Sequence, residues 1–314
     1  MNGQMLHSVT DVVPCNIPPG ESRNINRQSW DRQRSFFYHK NPPYRPRTVA
    51  TPFDVVAKVN YALTVPAGTM MPTIVPLPAS VNMTGSNPFV ASSATVVNIP
   101  DKKLAREMVP RLSTTPLSSY EVKKGGKGAL GAITFSVDPS VEGNEAYKMS
   151  VTSTGVDIKA STADGLYYGA ITLGEMLNQS DTVPAMTIED KPRFPYRGMM
   201  IDVSRHFHGF DFLKKQVDVM ARLKLNNLHL HLTDAAGWRM EIERYPLLTE
   251  VAAWRPDSTW EAWSKNGARY CSYSEKGAYG GFFRKAQLRE FVEYAALRGI
   301  TVITEIEMPG NSAE

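Results

Sequence analysis

The chain has 314 residues, 42% hydrophobic and 21% charged, a balance that fits a globular protein of about two domains with a sizeable core. Its formal net charge is +4. Residues Met1 to Tyr61 account for all of it: Arg23, Arg27, Arg32, Arg34, Lys40, Arg45, Arg47 and Lys58 stand against Asp11, Glu21, Asp31 and Asp54, so 8 − 4 = +4. The remainder is neutral, which argues against a nucleic-acid partner. Cys15 and Cys271 are too few and too far apart for a disulfide framework or a metal knuckle and are read as unpaired thiols. No run approaches the roughly 18 to 20 apolar residues of a membrane span. The N-terminus also lacks the basic, apolar, small-residue order of a signal peptide.

In chain order, residues 1–71 are rich in Pro, Asn, Arg and Ser (PPGESRNINRQSWDRQR, NPPYRPR) and are expected to be a poorly structured extension. Within it Val59 to Met71 is a weak apolar stretch, read either as part of that extension or as a damaged or misplaced export signal that is short and wrongly flanked. Residues 72–190 change to strands with helices between them. ATVVNI (Ala94 to Ile99) and GAITFSV (Gly131 to Val137) are strand candidates, separated by DKKLAREMVPRL, which starts like a helix at Asp101. YKMSVTSTGVDIKAS predicts two strands turning at Thr154-Gly155. TADGLYYGAITLGEMLNQ predicts a helix with Thr162 as N-cap and Leu166, Ala170, Leu173 and Leu177 on one face. Strands with a helix on one face make a small α+β domain.

After the linker IEDKPRFPYRG the grammar becomes βαβαβ across residues 191–314. GMMIDVS (Gly198 to Ser204) is an apolar strand. Asp211 is expected to cap a helix with Leu213, Val217, Met220 and Ala221 on one face, and NNLHLHLTD is the next strand. After a long aromatic loop, Leu288, Phe291, Val292, Ala295 and Ala296 mark a second helix that stops at Gly299 and leads into ITVITEIEMPG. Such repeats imply a parallel sheet, and in such sheets chemistry gathers at the carboxyl ends of the strands. All three ends are polar here: DVSRHFH, HLTDAAGW and EIEMPGN.

His229 and His231 share one strand face and Leu228, Leu230 and Leu232 the other. The histidines are either hydrogen-bonded residues of a barrel interior or paired metal ligands, with His206 and His208 as a second pair. Asp234 either caps a turn or aims a carboxylate into the mouth. Arg205 is either a partner for Asp202 or a fork of donors suited to vicinal hydroxyls. Glu305 and Glu307 share a face, and one of them is a candidate salt-bridge member. Trp238, Trp254, Trp260 and Trp263 are read as packing residues, although indoles also stack well on sugars.

Taken together, YRGMMIDVSRHFHGFDFLKKQVDVMARLKLNNLHLHLTDAAGWRMEIERYPLLTEVAAWR and YGGFFRKAQLREFVEYAALRGITVITEIEMPG resemble glycoside hydrolase family 20, the β-N-acetylhexosaminidases. The segment from TIVPLP through GVDIKASTADGLYYGAITLGEML resembles the small α+β domain that precedes that family's barrel. The resemblance covers roughly residues 72 to 314. It implies removal of terminal β-linked N-acetylglucosamine or N-acetylgalactosamine with retention: the substrate's own acetamido oxygen attacks, an Asp orients it, and the adjacent Glu protonates the leaving oxygen. It also implies that Arg205 binds hydroxyls of the terminal sugar, that Asp234, Glu307 and Asn311 form the supporting network, and that no cofactor or metal takes part. A periplasmic or secreted site follows from the family's substrates alone.

Two departures stand out. Ala235 occupies the place of a second acid, and Asn311 the place of a histidine that helps to tune the catalytic acid. The sequence contains no Asp-Glu dipeptide, so no catalytic residue is assigned in this chain. From Tyr196 to Glu314 there are 314 − 195 = 119 residues, against about 250 for a full eightfold barrel. The expected architecture is therefore an α+β domain followed by an incomplete (β/α)8 TIM barrel with about three of eight strands. A fragment of this kind is expected to be inactive and aggregation-prone alone. Two other readings are a non-catalytic sugar-binding relic ending at Glu314 and a metal-dependent barrel hydrolase using both His-x-His pairs.

Overall fold

The computed structural model describes residues 72–126 and 128–307. The expected N-terminal extension, its apolar stretch, Cys15 and Asn311 lie outside the described residues. Chain order begins β1 (Ser80–Met83), β2 (Phe89–Val90), β3 (Val96–Ile99), α1 (Lys102–Leu112), β4 (Glu121–Lys124), β5 (Ala132–Val137), β6 (Tyr147–Thr152) and β7 (Gly155–Ala160). It continues with α2 (Ala163–Leu177), β8 (Thr182–Val183) and β9 (Met186–Asp190).

Seven of these strands form one mixed sheet in the order β1-β9-β6-β7-β5-β3-β4. Burial alternates along β6 and β7, so each strand sends every second side chain into the core. The core there combines Val97, Phe135, Met149, Val151, Val156 and Ile158 of the sheet with Met108 and Leu112 of α1 and Leu166, Ala170 and Leu173 of α2. Local chemistry fixes where the helices start. Asp101 Oδ1 accepts from the Leu104 N–H at 2.7 Å, and Thr162 Oγ1 accepts from the Gly165 N–H at 3.2 Å. The expected hairpin is present, with Ser153 and Thr154 as its loop and Gly155 already in β7. The expected linker, in contrast, begins inside a strand. Ile188, Glu189 and Asp190 belong to β9, which pairs with both β1 and β6.

The second region runs β10 (Gly198–Asp202), α3 (Phe210–Arg222), β11 (Asn227–His231), α4 (Leu247–Glu250), β12 (Trp254–Arg255), α5 (Trp260–Lys265), β13 (Tyr279–Gly280), α6 (Lys285–Ala296) and β14 (Thr301–Glu305). β10, β11 and β14 form a parallel sheet in chain order. The register stacks Met200, His229 and Ile303 in one rung and Asp202, His231 and Glu305 in the next on the same face. On the opposite face Leu228 and Leu230, with Leu232 just beyond β11, are fully buried with Leu213, Val217 and Met220 of α3 and Phe291 and Ala295 of α6. Each such leucine contributes about 1.5–3 kcal/mol.

Two sequence expectations are corrected. Gly209, not Asp211, is the N-cap of α3, which leaves Asp211 in the first turn, where its charge suits the helix dipole. Val292, 45% exposed, and Ala296, also exposed, lie outside the buried stripe of α6, which is Phe291 and Ala295. Gly299, at φ +69°, ends the turn after α6 in a conformation that L side chains rarely adopt.

The two regions meet through partly buried charge. Arg197 pairs with Glu145 through two hydrogen bonds of 2.9 Å, and Lys224 Nζ donates to Asp190 at 2.8 Å and to Tyr147 Oη at 3.2 Å. Burial pushes the Glu145 and Asp190 carboxyls up, but Arg197 and Lys224 respectively outweigh it and hold both below their ordinary values. No helix among the described residues is long and apolar enough to cross a membrane.

Candidate active site

The site forms where the first two barrel strands end and two loops turn. Asp202 closes β10, and its Oδ1 accepts from the backbone N–H groups of Ser204 at 3.0 Å and Arg205 at 2.9 Å. That turn swings the Arg205 guanidinium back over the strand end, where it donates to both Asp202 Oδ2 and Asp234 Oδ2. The Asp234 side chain is 4% exposed and that of Arg205 is 49% exposed. The fork is thus held from behind, while half of its surface faces solvent.

His231 extends the network. Its Nε2 lies 3.1 Å from Asp234 Oδ2, and its Nδ1 lies 2.9 Å from Glu305 Oε2. The same Glu305 oxygen is 2.8 Å from His229 Nε2. Burial works to lower the His231 pKa, but Glu305 and then Asp234 outweigh it and raise it above the usual imidazole range. Burial raises Glu305, and the hydrogen-bonding contribution of His231 more than offsets this, leaving it below the usual carboxylate range. Glu307 follows two residues beyond Glu305, and its backbone N–H donates to Thr233 Oγ1 at 2.8 Å.

Two arginines missing from the sequence reading hold the loops. Arg239 is fully buried and donates to five carbonyls: Val203 at 3.0 Å, Ser204 at 2.6 Å, Ala236 at 3.4 Å, Ala253 at 2.6 Å and Gly281 at 3.1 Å. Arg255, 1% exposed, donates to the Arg205 carbonyl at 2.9 Å and to Ser258 at 3.2 Å. A Cβ on Gly237 would lie 2.5 Å from the Arg239 guanidinium, so the loop carrying Asp234 needs a glycine there. The only signal for either arginine was a charge directly after a tryptophan, in GWR and AAWR.

The sequence candidates therefore converge in part. Arg205, Asp234 and His231 form one connected cluster, and Glu307 lies close to His231 and Glu305. Arg205 takes the first of its readings, as the partner of Asp202, and Asp234 shares it. His206 is elsewhere engaged: its Nδ1 lies 2.7 Å from Tyr279 Oη. His208 stacks on Phe212 with ring centroids 4.3 Å apart. Among the described residues, the one group of three or more metal-ligand side chains is His231, Glu305 and Glu307, without either of these histidines. The Ala235 carbonyl accepts from Tyr270 Oη at 2.7 Å, and its side chain supplies no acid. Trp238 and Trp263 are buried and Trp260 is 45% exposed. Cys271 is a free, buried thiol.

The small α+β domain is thus followed by a parallel strand-helix segment with a carboxylate-backed arginine at its strand ends. Residues 194–314 match the profile described as glycosyl hydrolase family 20, catalytic domain, and residues 71–191 match glycosyl hydrolase family 20, domain 2. The chain belongs to glycosyl hydrolase family 20. A β-N-acetylhexosaminidase of Cellulomonas fimi is 35% identical over 249 residues, covering 76% of this chain and 46% of that protein. The solved β-N-acetylhexosaminidase of Streptomyces coelicolor A3(2) superimposes with a TM-score of 0.62 at 32% identity, over 77% of this chain and 48% of that one. An exo-β-N-acetylglucosaminidase of Vibrio harveyi, solved with N-acetylglucosamine, gives a TM-score of 0.62 at 29% identity over 77% and 38%. The chain spans less than half the length of each of these relatives.

Proposed function

We propose that this chain forms part of a β-N-acetylhexosaminidase, which removes terminal β-linked N-acetylglucosamine or N-acetylgalactosamine from glycosides by substrate-assisted, retaining hydrolysis. Arg205 binds hydroxyls of the terminal sugar, and Asp234, Glu307 and Asn311 form the network behind the catalytic acid. The observation that carries this reading is the clamp of Asp202 and Asp234 on Arg205. A planar guanidinium fixed by two carboxylates keeps its free donors in one orientation, which suits a pair of neighbouring hydroxyls better than a mobile ammonium does. Support comes from the names of the relatives, including the Vibrio harveyi enzyme solved with N-acetylglucosamine.

The sequence holds no Asp-Glu pair to orient the acetamide and protonate the leaving oxygen. On this reading β10, β11 and β14 are three strands of an eight-stranded barrel, and the 314-residue chain binds sugar without turning it over. The test assays the purified chain on a chromogenic β-N-acetylglucosaminide and measures N-acetylglucosamine binding by NMR. The expected result is no turnover, together with sugar binding that weakens about tenfold or more in Arg205→Ala. Turnover abolished by Glu307→Gln would overturn the claim of inactivity, and binding unchanged by Arg205→Ala would overturn the role of Arg205.

A further inference from the structure

We propose that the small domain carries a binding site for a tetrahedral oxyanion, phosphate or sulfate, where Asn98 of β3 and Thr134 of β5 lie beneath Gly128. Strands β4, β3 and β5 run parallel, and their register sets Lys123, Asn98 and Thr134 side by side in one rung. Val97 and Ile99 of β3 point into the core under the helices, so this rung faces the other side of the sheet. There the chain leaves β4 through Gly125 and Gly126, at φ +76° and +108°, and brings Gly128 over the rung before β5 begins.

Asn98 supplies the observation that points to a ligand. The residue is 3% exposed, and its side-chain nitrogen is buried without a hydrogen-bond partner. An amide nitrogen only donates, so the group that completes it is an acceptor. The missing side chain of Gly128 provides the place for that acceptor. A Cβ there would lie 3.5 Å from Asn98 Nδ2 and 3.2 Å from Thr134 Oγ1, so an oxygen atom near that position meets both. Gly128 is itself exposed, which leaves the other oxygens of the ligand at the surface.

Charge selects an anion for this place. The lysines with ion pairs among the described residues are Lys148, Lys214, Lys224, Lys265 and Lys285, which leaves Lys102, Lys123 and Lys124 without one. Lys123 stands beside Asn98 in the rung, and Lys102 Cε lies 3.4 Å from where a Gly125 Cβ would stand. Of the two acids nearby in sequence, Asp101 is turned onto α1 as its cap, and Glu121 is at the far end of β4 beside Val96. Neutral donors beneath and ammonium groups around the rim suit an oxyanion, whose hydrogen bonds are strengthened by its charge. A free ion and a phosphate or sulfate ester share this chemistry.

The site lies within the small domain and does not rest on the sugar-binding role of Arg205. The test titrates the full ¹⁵N-labelled chain with sodium phosphate, sodium sulfate and glucose 6-phosphate at constant ionic strength, following the Asn98 side-chain amide by NMR. The expected result is a saturable shift of that signal with one anion bound per chain. Tighter binding of glucose 6-phosphate than of phosphate identifies an ester as the ligand, and equal or weaker binding identifies the free ion. Affinity falls at least about tenfold in Asn98→Asp, which keeps the shape and turns the donor into a charged acceptor. Gly128→Ala, which fills the place with a methyl group, lowers it by about as much. Lys123→Gln lowers it about threefold, and Lys276→Gln, in the second region, leaves it unchanged. Circular dichroism checks that each variant is folded. Absence of a saturable shift at Asn98 with all three anions overturns the proposal. So does binding that survives whichever of Asn98→Asp and Gly128→Ala is folded, or that falls as far in Lys276→Gln as in Lys123→Gln.

Discussion

In the small domain, the sheet buries one face under α1 and α2, and strands such as β6 and β7 alternate cleanly between core and surface. In the barrel segment, the helix-facing leucines of β11 are as deeply buried as anything in the small domain, yet the opposite face carries Met200 at 56% exposure and Ile303 at 37%. Similar apolar side chains thus do different work on the two faces. Packing specifies the outer face, while the inner face, polar at its carboxyl end, is specified by ion pairs and by two buried arginines at the loops.

The comparison is broken most directly at Arg239. Arg239→Met removes the donor for several buried carbonyls and is expected to cost about 3–5 kcal/mol, read as a lower urea midpoint. A loss as small as that of a surface substitution would show that the loops hold without it. Leu230→Ala, on the outer face, is expected to cost about 3 kcal/mol, in line with equally buried leucines of the small domain. A markedly smaller cost would mean that the barrel segment is loosely packed.

Glu145→Gln tests the junction between the regions and is expected to cost about 2 kcal/mol at neutral pH. Its pH dependence follows from the sign of the shift. The folded pKa of Glu145 lies below its ordinary value of 4.5. Its stabilising contribution is therefore full above that value and lost as pH falls through the lower folded one. Asp190 adds a parallel loss below its ordinary 3.8. Urea midpoints of the unmodified chain should fall steeply below pH 4.5, and those of Glu145→Gln less so. The smallest effect is expected for Met200→Gln on the exposed inner face, less than about 0.5 kcal/mol; a cost above 1 kcal/mol would show that face to be packed in solution.

Much of the small domain was legible because its signals are local. Asp101 and Thr162 sit where caps belong, and the alternation of β6 and β7 is unbroken. β1, β2, β4, β8 and β9 were not found, because they are short or polar, as in EVKK, and exist through partners far along the chain, as Ser80 does through Glu189. The cap of α3 was misread because Asp211 is a good capping residue in the wrong place; the chain enters the helix two residues earlier, at Gly209. In the site, period-two spacing put His229 with His231, but their nearness to Glu305 depends on the pairing of β11 with β14 and was not read. The roles given to Arg205 and Asp234 came from resemblance. Arg239 and Arg255 were invisible because a buried arginine in an irregular loop breaks no periodicity, and its partners are carbonyls, which every residue has.

The clamp made by Arg239 also sets an order of events during synthesis. Chains emerge from the ribosome N-terminus first, and the small domain is complete once β9 is out. Arg239 reaches one of its acceptors, the Gly281 carbonyl, 42 residues further on. The loop bearing Arg205 is thus fastened by chain made well after it, and a pause in translation before residue 281 would hold the nascent mouth open while the domain behind it is already folded.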